Sequence, residues 1–350
     1  MSLAELCLWL AVVALTAYAI FGGADFGGGF WDLVAGGPAR GGRIRGMVRR
    51  SMTPVWEANH VWLPFLLVIL WTCFPIFFGS VMSTLYVPFF LAAVGIIVRG
   101  PAFALRGQAR TIAEARAIGA AFALSSVVVP FSMGAALGGI GSGRVPIGNA
   151  AGHPWSSWLN PTSIVIGVEA VLTGAYLAAV FLAGDAVRAG ERDLAEAFRR
   201  RALGAGVVTG AVAIGALAIL RSDARDLFDG LTSGWGLALV IASGVAGAAT
   251  VALMSARRYE PARWTAGAAV ACVTVGWAAA QSPYLLPGKL TLEQAAAPRT
   301  TLAAVFVSAA IGMVVLIPSL AWLYRLVLRG RLDQEFTPID EGLSGSKEAA

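Results

Sequence analysis

Four ionisable residues stand out in a sequence that is otherwise mostly apolar, because they lie within or beside long apolar runs. They are Asp25, Glu57, His60 and Glu169. A charged side chain at the centre of a bilayer costs at least about 3 kcal/mol, so such residues are usually paired or functional. Carboxyl and imidazole groups are also the side chains that pass protons near neutral pH. We therefore treat all four as candidates for a proton path.

The spacing of three of these residues suggests a cluster. Glu57 and His60 are three residues apart in PVWEANHVWL, at 54–63, so on a helix they would share one face. Pro54 is expected to mark the start of that helix. Asp25 lies in the glycine-rich GGADFGGG, which would let another backbone or a cofactor approach closely. The cluster is interpreted either as the mouth of a proton path or as a structural network joining the first two helices, with Asp25 as an interfacial cap.

Glu169 is a separate candidate, because it lies about seven residues inside a predicted membrane span, roughly 10 Å from its outer end by helical rise. A lone buried carboxyl group is expected to be protonated or paired. It either handles protons or makes a helix-packing hydrogen bond with Ser125 or Ser126.

Metal and cofactor chemistry has little support in the sequence. The two histidines are His60 and His153, and His153 falls in a predicted outer loop, so no axial haem pair is evident. Cys7, Cys73 and Cys272 are far apart in apolar runs, which favours packing over a disulfide or metal site. We therefore assign no bound cofactor to this chain.

The composition indicates which elements position these residues. With 57% apolar residues, 13% charged residues and a mean hydropathy of +0.73, the chain is too apolar for a water-soluble domain. We predict an all-α integral membrane protein, with one membrane domain over 1–332 and a disordered cytoplasmic tail over 333–350. Nine apolar runs predict nine transmembrane helices, at 3–23, 61–78, 80–98, 117–139, 162–184, 202–220, 235–254, 262–281 and 301–324. A tight turn at 78–80 is expected to separate the second and third.

The distribution of basic residues predicts the orientation. Alternate connections and the tail hold most of the 26 Lys and Arg, as in the arginine-rich stretch 40–50. The other side holds only Arg144, Arg221, Arg225, Lys289 and Arg299. Because basic residues flanking spans stay in the cytoplasm, the amino terminus is predicted outside and the carboxyl terminus inside. The net charge of +6 then reflects topology and contact with anionic lipids, and gives no reason to expect nucleic acid.

Two linked motifs carry a family resemblance. GADFGGGFWDL at 23–33, followed by PVWEANHVWL at 54–63, resembles subunit II of cytochrome bd-type quinol oxidases. Further similarity comes from RGPAF at 99–103 with the Arg106 loop after it, and from LNP at 159–161. The resemblance extends over most of the chain.

The resemblance implies a fold of two four-helix bundles with one peripheral helix, in a bacterial or archaeal cell membrane. It implies a complex that oxidises quinol and reduces oxygen to water with cytoplasmic protons, contributing to the proton motive force. Haem b and haem d-type groups are expected in subunit I. This chain would pack against that subunit and help to conduct protons. Small accessory subunits and a bound quinone are compatible with this assignment.

The resemblance also bears on individual residues. The family's Trp-Asp-Gly-Asn motif has an aspartate assigned to a proton channel, and that aspartate matches Glu57. Ala58 replaces the motif glycine, and His60 follows it where other residues are common. The neighbouring motif residues are expected to be structural; they are Trp56, Asn59, Trp62, Gly27 and Arg99.

Two other functions are compatible with these residues. Intramembrane carboxyl groups, many glycines and multiple helices are also found in ion-coupled secondary transporters. A purely structural partner, in which each ionisable group satisfies a neighbour, is the other alternative.

Overall fold

The computed structural model describes residues 1–36, 38–53, 55–105, 108–109 and 111–329, and almost all of these are helical. Pro54, Arg106 and the predicted tail over 333–350 lie outside the described residues. The elements run in the order α1 (Leu3–Ala17), a π-helical turn (Tyr18–Gly22), α2 (Gly23–Leu33), α3 (Pro38–Met52), α4 (Trp56–His60), α5 (Trp62–Cys73), α6 (Pro75–Thr84), α7 (Tyr86–Leu105), α8 (Ile112–Gly141), α9 (Pro161–Arg188), α10 (Arg192–Asp223), α11 (Arg225–Leu231), α12 (Gly234–Ser255), α13 (Tyr259–Gln281), β1 (Tyr284–Leu286), β2 (Leu290–Thr291), α14 (Leu292–Ala295) and α15 (Arg299–Leu328).

The long helices form two groups with one helix outside them. We call α1–α2, α4–α5, α7 and α8 the first bundle, in which α1 packs on α5 and α8 packs on both α2 and α7. The second bundle consists of α9, α10, α12 and α13, with α9 packed on α10 and α12 packed on α13. Helix α15 lies against α1 and α5, and it exposes six large apolar side chains, Val307, Ile311, Val314, Val315, Ile317 and Trp322. The prediction of an all-α membrane protein is confirmed.

The described helices offer fewer candidate membrane spans than the nine that the sequence predicts. Within the described residues, seven helices are long and apolar enough to cross a membrane, and a pair bent by 69°, Gly41–Met52 with Trp56–Cys73, would make an eighth. Helix α13 has 23 residues and packs closely on α12, but it is not among these candidates. The count of nine therefore stays a prediction.

The predicted turn at 78–80 is wrong. Those residues lie inside α6, and the chain instead breaks at Phe74 and Leu85, on either side of that helix. Pro75 explains the first break, because proline lacks an N–H group and is favoured at the first position of a helix. Its ring also disfavours helical backbone at the preceding residue.

The first helix also continues further than predicted. It passes through the π-helical turn and α2 as far as Leu33, which places Asp25 within the helix instead of at its end. Eight residues separate Asp25 from Leu33, or about 12 Å of helical rise. The Asp25 side chain is only 4% exposed. The interpretation of Asp25 as an interfacial cap is therefore wrong.

Glycines bring the two bundles into backbone contact. A Cβ atom on Gly27 of α2 would lie 1.8 Å from the Gly174 carbonyl oxygen of α9. A Cβ atom on Gly138 of α8 would lie 2.5 Å from the Ser163 Cα atom, also on α9. Neither position has room for a side chain, so the glycines allow the close helix packing that is common in lipid.

The two ends of the molecule carry different ion pairs. At one end, which we call the basic end, Arg43 pairs with Glu191 at 2.6 Å and Arg257 pairs with Glu196 at 3.6 Å. At the opposite end Arg144 pairs with Asp223 at 2.6 Å. The basic end holds the connections before α4, between α9 and α10, and between α12 and α13.

Candidate functional site

Asp25 lies in a buried polar network in the first bundle. The Asn59 Nδ2 atom donates a hydrogen bond of 2.9 Å to Asp25 Oδ2. The Tyr324 hydroxyl group in turn donates to Asn59 Oδ1. These two bonds connect α2, α4 and α15, so the peripheral helix contributes directly to the surroundings of Asp25.

Arg99 forms the other half of this network. Its Nη2 atom donates to the Asp25 main-chain carbonyl oxygen at 2.9 Å, and its Nε atom donates to Ser126 Oγ at 3.1 Å. The guanidinium carbon also lies 4.7 Å from the ring centre of Phe26 and 5.0 Å from that of Phe122. Such positions over aromatic faces are favourable for a cation. Arg99, only 4% exposed, is therefore held by both hydrogen bonds and rings.

His60 is fixed in one protonation form by Arg99. The Arg99 Nη1 atom lies 3.2 Å from His60 Nε2. Because a guanidinium group has only donors, Nε2 must accept this bond, and the ring hydrogen of a neutral imidazole is then on Nδ1. The imidazole is surrounded by aromatic rings, with Phe26 at 5.3 Å, Tyr18 at 5.8 Å and Trp56 at 6.4 Å between ring centres.

Glu57 and His60 do not share a face as expected. Glu57 is exposed, and the described residues offer it no hydrogen bond, whereas His60 faces Arg99 in the interior. Helix α4 has only five residues and follows Val55, whose backbone is not helical. Glu57 therefore lies in a first turn that no other element covers.

The remaining motif residues pack within the first bundle. Trp56 contacts Phe103 of α7, with 5.6 Å between ring centres. Trp62 is 8% exposed and lies in the apolar core formed around α1 and α5. Asn59 is 4% exposed. These positions bring α4 and α5 against α2 and α7, and so surround Asp25.

Glu169 lies apart from this network, on α9 of the second bundle. Its Oε2 atom is buried and has no hydrogen-bond partner in the part of the chain that the structure describes. The alternative of a bond to Ser125 or Ser126 is wrong, because both of those hydroxyl groups donate to the Phe122 carbonyl oxygen. Ser126 and Ser125 lie toward the basic end of α8, whereas Glu169 lies nearer the other end of α9.

The two histidines lie at opposite ends of the molecule. His153 is in the connection between α8 and α9, where its Nδ1 atom accepts hydrogen bonds from the main-chain N–H groups of Trp155 and Ser156. His60 lies toward the basic end. They cannot act as the axial pair of one haem. Across the described ranges, no group of three or more His, Cys, Asp or Glu side chains is placed to hold a metal ion.

Sequence reasoning missed two members of the network. Tyr324 lies 265 residues after Asn59, and Ser126 lies 27 residues after Arg99. Tyr324 is a polar aromatic residue in a long apolar run, which was a usable signal. Ser126 was considered only as a partner of Glu169, and nothing in the sequence links it to Arg99.

Comparison with known proteins gives one family. The chain matches the family model described as cytochrome bd terminal oxidase subunit II over residues 3–327. A solved structure of the bd oxidase from Geobacillus thermodenitrificans is similar, with a TM-score of 0.76 and 25% sequence identity. That likeness covers 94% of this chain and 99% of the other.

Two curated relatives come from Bacillus subtilis (strain 168). Cytochrome bd ubiquinol oxidase subunit 2 is 28% identical over 170 residues, 47% of this chain and 49% of the relative, so the alignment spans about half of that protein. The putative cytochrome bd menaquinol oxidase subunit II is 22% identical over 325 residues, 90% of this chain and 92% of the relative.

Proposed function

This chain belongs to the cytochrome bd terminal oxidase subunit II family, and from that premise we propose that it supports quinol oxidation coupled to the reduction of oxygen to water. Its partner would be a subunit I that carries haem b and haem d-type groups. The family match over residues 3–327 and the likeness to a bd oxidase structure support this assignment. No observation favours an ion-coupled carrier.

Within the complex, we propose that the chain supplies protons through the first bundle. Reduction of oxygen to water consumes protons inside a low-dielectric site, so titratable groups must bridge from the aqueous phase. Glu57 is exposed and can exchange protons with water, whereas Asp25 is buried about 12 Å inside the end of α2. Glu57 would take up the proton and Asp25 would receive it.

The observation that carries this proposal is the way in which Asp25 is bound. Asn59 donates to one carboxyl oxygen, Oδ2, and Arg99 donates to the main-chain carbonyl of the same residue. An amide donor to one oxygen leaves the other able to carry a proton. The carboxyl group can therefore change protonation while its neighbours keep their positions.

His60 and Glu169 would have different parts in proton handling. His60 has its hydrogen on Nδ1 because Nε2 accepts from Arg99, so it would extend the relay as a neutral donor. Glu169 would be a second proton-holding group, in the second bundle, since its buried Oε2 atom has no partner among the described residues.

The orientation belongs to the same proposal. The basic end would face the cytoplasm, with the amino terminus outside and the carboxyl terminus inside. Protons would then enter from the cytoplasm, and oxygen reduction would add to the proton motive force. A cysteine at Ala256, at the basic end, should react with a membrane-impermeant maleimide only in permeabilised cells, whereas one at Ser222 should react in intact cells.

The test is the effect of Glu57 on turnover. We expect Glu57→Ala and Glu57→Gln to lower quinol-dependent oxygen consumption by the purified complex, because neither side chain can exchange a proton, while haem content stays unchanged. Glu293→Gln, at an exposed carboxyl near the opposite end, is the matched control. Unchanged turnover in both Glu57 variants would remove this residue from the path and favour a purely structural role.

A further inference from the structure

Two buried polar atoms in the first bundle need a hydrogen-bond partner that the relay described above does not supply. The hydroxyl group of Tyr18 and the Nδ1 atom of His60 are both buried, and neither has a hydrogen-bond partner among the described residues. Their rings are neighbours, with 5.8 Å between centres. Leaving a buried polar group unpaired costs about 1–3 kcal/mol, so two at one place indicate a missing ligand.

The backbone is distorted where Tyr18 is presented. Tyr18 begins the π-helical turn that ends at Gly22, a geometry that often marks functional positions. A Cβ atom on Gly22 would lie 2.8 Å from Tyr18 Cε2, so the ring runs along the helix over this glycine, toward Asp25. His60, beside the Tyr18 ring, contacts Arg99, which in turn donates to the Asp25 main-chain carbonyl oxygen.

The chemistry of the two atoms identifies the ligand. Because His60 Nε2 accepts from Arg99, Nδ1 carries a hydrogen and can only donate. The Tyr18 hydroxyl can both donate and accept. A ligand between them must be small, must accept from His60 and must exchange hydrogen bonds with Tyr18 and the nearby carboxyl group. Buried water typically makes about three such bonds, and a water molecule fits these requirements.

We propose that Tyr18 and His60 bind a water molecule beside Asp25, and that this water passes protons from Asp25 toward the interior of the first bundle. The main chain of Tyr18 lies about 10 Å of helical rise from Asp25, on the side away from the basic end. Because its ring runs back over Gly22 toward Asp25, the water would lie between these two residues. Its part in proton transfer rests on the proposed function, but the binding of water does not.

The experiment compares Tyr18→Phe with the parent complex by infrared difference spectroscopy in isotopically labelled water. Phenylalanine keeps the ring contacts with Phe26 and His60 and removes only the hydroxyl group. We expect a water O–H stretching band in the parent that shifts with the label and is lost in Tyr18→Phe. We also expect turnover about fivefold lower, as for one lost hydrogen bond, with haem content unchanged. Tyr86→Phe, at an exposed tyrosine, is the control.

The outcomes separate the two proposals when Asp25→Asn is measured beside Tyr18→Phe. If Asp25→Asn lowers turnover while Tyr18→Phe keeps both the band and the parent rate, the water site is wrong and the proton supply stands. If the band is lost but neither variant lowers turnover, water binds there and the proposed proton supply fails. If Tyr18→Phe does not assemble, Gly22→Ala, which should displace the ring, must also remove the band.

Discussion

The two candidate carboxyl groups, Asp25 of the first bundle and Glu169 of the second, are held very differently. In the first bundle Asn59 binds the Asp25 carboxyl group, and Arg99 binds the main chain of the same residue. In the second bundle Glu169 presents a buried Oε2 atom that finds no partner among the described residues. Among the described residues, Asp25 thus belongs to a hydrogen-bonded network and Glu169 does not.

The difference shows that burial alone does not define a proton path. A buried polar network whose members are mostly hydrogen-bonded holds them in one arrangement. A single buried carboxyl group without a partner lowers the stability of the fold and does not hold its neighbours in place. The Asp25 surroundings should therefore tolerate substitution poorly, and the Glu169 surroundings should tolerate it well. This contrast can be tested by three sets of variants.

The largest effect is expected from Arg99→Leu. This change removes the donor to the Asp25 carbonyl, Ser126 and His60 together, and removing one partner of a buried charged group typically costs about 3–5 kcal/mol. We expect little assembled complex, and a much lower melting temperature for what assembles. Arg99→Lys should also be impaired, because an ammonium group cannot reproduce the planar set of donors. The exposed Arg258→Leu is the control; equal stability of Arg99→Leu and the parent would contradict the account.

A smaller effect is expected at the contact between the bundles. Gly27→Ala places a methyl group against the Gly174 carbonyl oxygen, and overpacking of this kind typically costs about 1–3 kcal/mol. Gly204→Ala, on α10, meets nothing within 4 Å and should instead stabilise its helix by about 0.5–1 kcal/mol. Thermal unfolding of the purified complexes measures both. We predict that stability falls in Gly27→Ala and rises in Gly204→Ala. A change in the same direction in both variants would mean that the contact between Gly27 and Gly174 is not tight.

The smallest effect on stability is expected at Glu169, and its sign is informative. Glu169→Met replaces an unpartnered buried carboxyl group by an apolar side chain of similar size, so the melting temperature should stay level or rise slightly. Oxygen consumption should fall in both Glu169→Met and Glu169→Gln if this group holds a proton. A clear loss of stability in Glu169→Met would show that the carboxyl group is paired in the assembled complex, and would remove the contrast between the bundles.

The sequence was sufficient for the general architecture and for part of the cluster. Apolar runs predicted an all-α membrane protein, and the predicted topology placed Asp25 and His60 on the same side of the membrane, where they could form a cluster. Local patterns carry this information, because membrane helices are defined by length and hydropathy. The number of membrane spans was harder to predict, since α13 is long enough to cross a membrane but is not among the helices that are also apolar enough.

The errors have identifiable physical causes, some of them local and some of them distant in sequence. The first helix continues past Asp25, with a π-helical turn at Tyr18–Gly22. The chain breaks before Pro75 and not at 78–80, because Pro75 begins a new helix. Tyr324 reaches Asn59 through packing of a distant helix. Exposure of Glu57 depends on the shortness of α4. Of these, the Tyr324–Asn59 bond joins residues that are far apart in the sequence, so no local pattern could predict it.

The most direct test of proton supply through the first bundle is proton uptake measured with a pH-indicator dye after an oxygen pulse on the fully reduced complex. In Asp25→Asn we predict proton uptake slowed by about tenfold or more, because asparagine cannot carry the proton; a tenfold change corresponds to roughly 1.4 kcal/mol of barrier. The exposed Asp226→Asn is the control. Haem content should stay unchanged. Uptake at the parent rate in Asp25→Asn would contradict the central claim.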